Sequence, residues 1–156
     1  MVIPSTTTTI AFSAIVVAIA IAFSVAVAFA GRVRGETPAR RRRAGVVAAV
    51  LAFTWLSVTA LISASGVLEI EMLPPPLMVF FVLSLGVASG VAYSRLGTRI
   101  VTGVPLFALV GFQAFRLPLE LVLHQWWIEG TVPVQVTYEG YNYGIVSGIL
   151  GLVVGL

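Results

Sequence analysis

The sequence predicts an all-α fold built from membrane helices, and three observations lead to this prediction. Residues of the AVILMFWYC set make up 59% of the chain, whereas charged residues make up only 10%. The mean hydropathy is +1.07, and a water-soluble globule of 156 residues could not bury so much apolar surface. The apolar residues also fall into long uninterrupted stretches separated by short loops. We therefore expect a single helical membrane domain and no soluble domain.

Five transmembrane helices are predicted along the chain. A bilayer core about 30 Å thick needs roughly 20 apolar residues of helix, and the first four stretches reach or approach that length. The fifth is too short to cross at about 1.5 Å per residue. We expect the protein to continue beyond Leu156 through a complete last helix, the alternative being a half-helix. The predicted spans cover residues 10–30, 44–68, 77–93, 103–127 and 143–156.

The charges between the spans predict the orientation. All nine cations are Arg, and six of them lie between Arg32 and Arg43 with one Glu, a balance of +5 (6 − 1). Arg95 and Arg99 follow the third span. In the loops after the second and fourth spans the only charged residues are Glu. Because cytoplasmic loops are rich in Arg and Lys, we expect a multi-pass membrane protein with its N-terminus outside and its Arg loops in the cytoplasm. This placement explains the basic pI without nucleic-acid binding, which we do not expect.

Several kinds of chemistry are excluded or lack a motif. The chain has no cysteine, which excludes disulfides, thiolate metal sites and iron–sulfur clusters. No G-x-S-x-G or S-x-x-K pattern supports a nucleophilic mechanism. No catalytic residue is therefore predicted, and a non-enzymatic role is favoured.

A polar stripe in the fourth span is the candidate site. Its members follow one another at offsets of 3, 4 and 4 residues, which places them on one face of a helix. Ionised residues inside a membrane helix cost about 2.5–3.5 kcal/mol each on the translocon scale, and they are functional candidates by default. Two interpretations of Arg116 and Glu120 remain open: a purely structural ion pair and a ligand site. The stripe consists of Gln113, Arg116, Glu120 and His124.

His124 is the only histidine of the chain. An interfacial histidine, hydrogen-bonded to Glu120 or to lipid headgroups, is favoured over a metal ligand or a ligand of haem or a chlorophyll-type pigment. A bis-histidine haem would need a second histidine from another subunit, and a zinc site would need Glu side chains to complete it. Lipid is the expected non-protein component.

The outer loop before the fifth span is unusual in composition. It contains three of the four Tyr residues and the only Asn. One interpretation is an interfacial tyrosine belt with a glycine turn. In the other, the loop folds over span four, so that Glu139 or Asn142 meets Arg116 or His124. The candidate residues of the loop are Tyr138, Glu139, Tyr141 and Asn142.

Small residues predict where helices associate, because helices in lipid pack closely at small side chains. Gly86 and Gly90 form a GxxxG pattern in the third span, and alanines follow one another at four-residue intervals in the first. Four glycines of the fifth span lie on one face. Since each glycine costs up to ~1 kcal/mol relative to Ala in a helix, that face is predicted to receive a neighbouring helix from this chain or another. The four are Gly144, Gly148, Gly151 and Gly155.

Span four and the outer loop together carry a resemblance. The segment 115–124 reads F-R-L-P-L-E-L-V-L-H, and the segment 137–143 reads T-Y-E-G-Y-N-Y. This part of the chain, residues 113–148, resembles an uncharacterised family of bacterial polytopic integral membrane proteins with an F-R-x-P-x-E-x-x-L-H helix and a T-x-E-G-x-N-aromatic loop. The resemblance implies that the stripe and the loop belong together and that the last helix is complete in relatives. It also implies a multi-pass protein of the bacterial inner (cytoplasmic) membrane. The family usually has Asp where this chain has Gly144.

Two functions from different classes follow from these observations. In the first, favoured by the missing repeats and motifs, the chain is a non-catalytic accessory or structural subunit that docks onto other membrane subunits or onto itself. In the second, it is a small transporter, sensor or membrane enzyme with an outward-facing pocket. That pocket, formed at Arg116, Glu120 and His124, would bind a proton or a small anion.

Overall fold

The structure, a computed structural model, describes residues 3–69 and 74–155. Helix makes up 84% of it, and the described ranges contain no β-strand. The prediction of an all-α fold is confirmed. The α-helices are α1 (Thr6–Val33), α2 (Pro38–Ala64), α3 (Pro76–Ala92), α4 (Arg95–Gly103), α5 (Leu106–Gly111), α6 (Arg116–Ile128) and α7 (Gly144–Gly155). Short 3₁₀ turns lie at Val67–Glu69, Phe112–Phe115, Val134–Val136 and Tyr138–Gly140.

Three helical segments are long and apolar enough to cross a membrane. They are α1, α2 and the segment Leu106–Ile128, which contains α5 and α6. Helices α3 and α4 pass the same test only together, and they are bent by 59° at the break between them. The described ranges thus contain three candidate spans, or four if α3 and α4 together form one bent span. This number of apolar helices is compatible with a membrane protein. Helix α7 has 12 residues, so five spans stay a prediction.

Helix α4 occupies residues that the sequence analysis assigned to a loop, and that expectation was wrong. Ser94 caps the helix, because its Oγ accepts a hydrogen bond from the Leu96 N–H at 3.1 Å. Gly97 permits the sharp turn after α3, since a β-carbon there would collide with the Ala92 carbonyl oxygen. The two Arg residues of this segment therefore have fixed positions on a helix.

Two prolines shape the fourth predicted span. Val104 is extended, as expected of a residue that precedes proline, and the helix begins only at Leu106. Pro118 has no N–H to donate to the carbonyl of Ala114, and Phe112–Phe115 form a 3₁₀ turn just before it. The helix is tightened where the polar stripe begins.

The chain forms two compact units. The first consists of Met1–Ile21 and Pro105–Leu156. In it, α7 packs antiparallel to the α5–α6 segment. The antiparallel direction is evident from the glycines of α7, since successive glycines approach residues that lie progressively earlier in that segment. This packing brings the outer loop and the start of α7 to the middle of α6.

The second unit consists of Ala22–Val104. In it, α4 packs against the end of α1, where a β-carbon placed on Gly103 would lie 2.7 Å from Ala30 Cβ. Ala30 is fully buried, as is Val27 one turn earlier. Ala30 belongs to the alanine series of the first predicted span, whereas Ala22, two turns earlier in that series, is exposed.

Candidate functional site

Glu120 is directed from α6 toward the first turn of α7. The residue is only 2% exposed. A β-carbon placed on Gly144 would collide with Glu120 Oε1, so only glycine leaves room for the carboxyl group. The carboxyl group lies at the amino-terminal end of a helix, where the N–H dipoles favour negative charge.

Asn142 joins this carboxyl group to the outer loop. Its Nδ2 donates to Glu120 Oε1 at 3.1 Å and to the Val136 carbonyl oxygen at 2.8 Å. Its Oδ1 accepts from the Gly144 N–H at 3.2 Å. One amide side chain therefore ties together α6, the loop and the start of α7.

His124 lies against the same loop, one turn further along α6. Its ring stacks on Tyr138 at a centroid distance of 4.7 Å and also contacts Trp127 at 5.3 Å. Its Nδ1 lies 3.8 Å from Glu139 Oε1. The structure thus has the contact between loop and helix that the sequence analysis left open as one of two interpretations.

Two polar atoms here are shielded from solvent and have no hydrogen-bond partner. They are Glu120 Oε2 and His124 Nδ1. Buried polar atoms are almost always hydrogen-bonded, and an exception calls for an explanation such as a bound ion, a proton or a ligand. The unpartnered carboxyl oxygen is the strongest indication of function in the described part of the chain.

The ion pair between Arg116 and Glu120, one of the two interpretations left open above, is not among the ion pairs of the described residues. The Arg116 Nε donates to Gln113 Oε1 at 3.1 Å, and the guanidinium lies 5.9 Å from the Phe115 ring centroid. Glu120 is bonded to Asn142 instead. The stripe therefore separates into an Arg116–Gln113 pair and a half that meets the loop.

The two predicted glycine faces have different surroundings. A β-carbon on Gly148 would lie 2.9 Å from Leu117 Cγ, and one on Gly151 would lie 2.8 Å from the Ala114 nitrogen. Gly155 meets Gly111 in the same way. A β-carbon on either glycine of the α3 pattern, Gly86 or Gly90, would meet nothing within 4 Å.

We refer to five side chains as the Glu120 site. Side-chain exposure decreases from Glu139 (46%) to His124 (20%), and Glu120 is buried. Tyr141 lies outside the group and is 81% exposed, with a left-handed φ of 69°. Among the described residues no three His, Asp or Glu side chains form a group that could hold a metal ion. The site consists of Glu120, His124, Tyr138, Glu139 and Asn142.

Sequence reasoning missed two polar contacts. Glu129 accepts a hydrogen bond from the Ser5 N–H at 2.9 Å, at the start of α1. Glu36 forms a two-pronged pair with Arg99, both N–O distances being 2.8 Å. The only sequence signal for the second was that Glu36 is the single acid among the Arg residues of its loop.

No family model, no curated protein and no solved structure matches this chain. The fold and the site define the class of protein by themselves. It is a helical protein with helices long and apolar enough for a membrane, and in the described part of the chain one carboxyl group, that of Glu120, is buried at a junction of helix and loop.

Proposed function

We propose that the chain is a five-span protein of the bacterial inner membrane, a member of the resembled family, with its N-terminus outside. Two contacts support the grouping of ends on which this orientation depends. Glu129 with Ser5 joins two ends that the loop charges assign to the outside, and Glu36 with Arg99 joins two segments assigned to the cytoplasm. Cysteines at the exposed positions Thr37 and Gln135 should react oppositely with an impermeant thiol reagent in intact cells. Labelling at position 37 alone would contradict the orientation.

We propose further that the Glu120 site binds a proton, as part of a small transporter or sensor. The observation that carries this proposal is the buried carboxyl group with one oxygen held by Asn142 and the other without a partner. A proton on that free oxygen removes the charge, which lipid and protein otherwise solvate poorly.

The surroundings favour a proton over a small anion. The site contains two carboxyl groups, and the guanidinium of Arg116 is bonded to Gln113. Glu139 and His124 can each accept a proton, and their side chains are progressively less exposed from the loop surface toward Glu120. A proton can pass along such a series, whereas an anion would be repelled by it.

Infrared difference spectroscopy of the protein in nanodiscs, titrated with acid, tests this proposal. The wild type should show the carbonyl band of a protonated, shielded carboxyl group, and Glu120→Gln should remove that band. Gln keeps an oxygen that can accept from Asn142, so the variant should fold. The matched control Glu69→Gln removes an exposed carboxyl group and should leave the band unchanged. An unchanged band in Glu120→Gln would refute the proposal.

A non-catalytic accessory subunit is the second candidate function. The observation in its favour is the face of α3 around Gly86 and Gly90, which nothing else in the described chain approaches within 4 Å of the β-carbon positions. A partner helix could approach closely there. Gly86→Leu should then reduce co-purification of other membrane subunits from mild detergent, without changing the monomer's melting temperature. Unchanged co-purification would leave only the first candidate.

A further inference from the structure

A cleft of about 410 Å³ opens in the unit formed by Ala22–Val104. It lies where α1 ends, α2 begins and α4 follows the bend after α3. Four of its lining residues are Arg and one is Glu, a net charge of +3 (4 − 1). We call it the arginine cleft, and its charged residues are Arg34, Glu36, Arg40, Arg95 and Arg99.

The negative charge in the cleft is already matched. Arg99 binds Glu36 through both guanidinium nitrogens at 2.8 Å, and its Nε donates to the Val27 carbonyl oxygen at 2.8 Å. Both side chains of the pair are only 11% exposed. This pair lines the cleft and leaves the remaining arginines in excess.

The other arginines are more exposed, and Arg34 donates one hydrogen bond, to Thr102 Oγ1 at 3.0 Å. Arg34 and Arg40 approach Glu36 only at 3.9 and 4.0 Å, and their side chains are 43% and 76% exposed. Arg95 is exposed and occupies the first position of α4. A positive charge is unfavourable at the amino-terminal end of a helix, and an anion in the cleft would offset that.

We infer that the arginine cleft binds a phosphate ester of net negative charge, the group carried by anionic phospholipid headgroups and by small soluble phosphates. Guanidinium groups match phosphate oxygens with paired, charge-assisted hydrogen bonds. Arginines next to the ends of membrane helices also lie at the depth of the lipid headgroups. The inference is independent of the Glu120 site, since none of its residues contributes to the cleft.

Binding of short-chain phosphatidylglycerol to the full chain in detergent tests the inference, with short-chain phosphatidylcholine as the zwitterionic comparison. Glycerol phosphate serves as the soluble arm. Arg40→Gln and Arg95→Gln should each weaken phosphatidylglycerol binding about tenfold or more, because a hydrogen bond to a charged group is lost. The matched control Arg42→Gln removes an exposed arginine outside the cleft and should weaken binding by at most about fivefold, the effect of one surface charge.

The arms distinguish the source of the phosphate. Binding of phosphatidylglycerol but not of glycerol phosphate, with this pattern of variants, assigns the cleft to lipid. Binding of both phosphatidylglycerol and glycerol phosphate assigns it to anionic phosphate esters in general. Equal effects of the cleft variants and Arg42→Gln would overturn the inference, as would equal affinity for phosphatidylcholine. The melting temperatures of the variants should match the wild type, because the Glu36–Arg99 pair is untouched.

Discussion

Helices α3 and α7 carry similar spacings of glycine, yet only α7 uses its glycines for packing. Gly144, Gly148 and Gly151 are buried against the α5–α6 segment. Gly86 and Gly90 have open space around their β-carbon positions. Glycine spacing therefore permits close approach of a helix but does not by itself supply the partner.

The difference lies in what holds the start of each helix. Asn142 anchors the start of α7 through three hydrogen bonds, including one to Glu120 on the helix that α7 packs against. Helix α3 begins with Pro76 after Pro75, and no side chain caps it. In lipid, helices associate through close packing and polar contacts, and among these two helices only α7 has both within its unit.

The largest effect is expected for Gly148→Leu. Its side chain would overlap Leu117, which lies 2.9 Å from the β-carbon position, and overpacking of this kind costs about 3 kcal/mol. Gly86→Leu is the matched control, because nothing lies near that position. Thermal unfolding in detergent should show a lower melting temperature for the first variant alone. Equal melting temperatures would mean that the α7 face is not packed.

Asn142→Ala should have the next largest effect, about 2 kcal/mol of unfolding free energy. The substitution removes three hydrogen bonds and leaves the buried Glu120 Oε1 and the Gly144 N–H without these partners. Ser65→Ala serves as control, since Ser65 makes exposed local hydrogen bonds at the end of α2, and it should change stability by less than about 0.5 kcal/mol. If the two variants are equally stable in denaturant titrations, Asn142 does not anchor α7.

Acidification should give the smallest effect, and it should affect the start of α1 but not α3. The hydrogen bond from the Ser5 N–H, followed by that of its hydroxyl group, holds the pKa of Glu129 below its ordinary value of 4.5. Stability from this contact is complete above pH 4.5 and is lost as the pH falls through the lowered value. Hydrogen exchange should then speed up in the first turn of α1.

Helix α3 contains no ionisable residue between Pro76 and Ala92, and its exchange, corrected for the intrinsic pH dependence, should not change. The variant Glu129→Gln should abolish the pH dependence at the start of α1. Persistence of that dependence in the variant would assign it to another group.

Composition and hydropathy were enough to predict the helical class and the approximate positions of the long helices. They did not predict α4, because its capping by Ser94 and the tight turn at Gly97 are local geometries that a hydropathy pattern does not contain. The sign of the loop charges was used to predict topology, but it could not indicate that Glu36 and Arg99, separated by 63 residues, form an ion pair whose side chains are only 11% exposed.

The Glu120 site was predictable only in part. A helical face of four polar residues follows from their spacing, and Glu120 and His124 do meet the outer loop. The spacing equally permitted the Arg116–Glu120 pair, which is not formed. Arg116 pairs with Gln113 and Glu120 with Asn142 because of the 3₁₀ turn before α6 and the approach of α7. Both features depend on tertiary packing, which the spacing does not contain.

The pair of Glu36 and Arg99 has a consequence for biogenesis. A ribosome delivers Glu36 and the Val27 carbonyl long before Arg99, which follows Glu36 by 63 residues. Until Arg99 has been synthesised, Glu36 lacks its main partner. The turn between α1 and α2 is therefore completed only by a later segment of the same chain, and a nascent protein that ends before α4 lacks this ion pair.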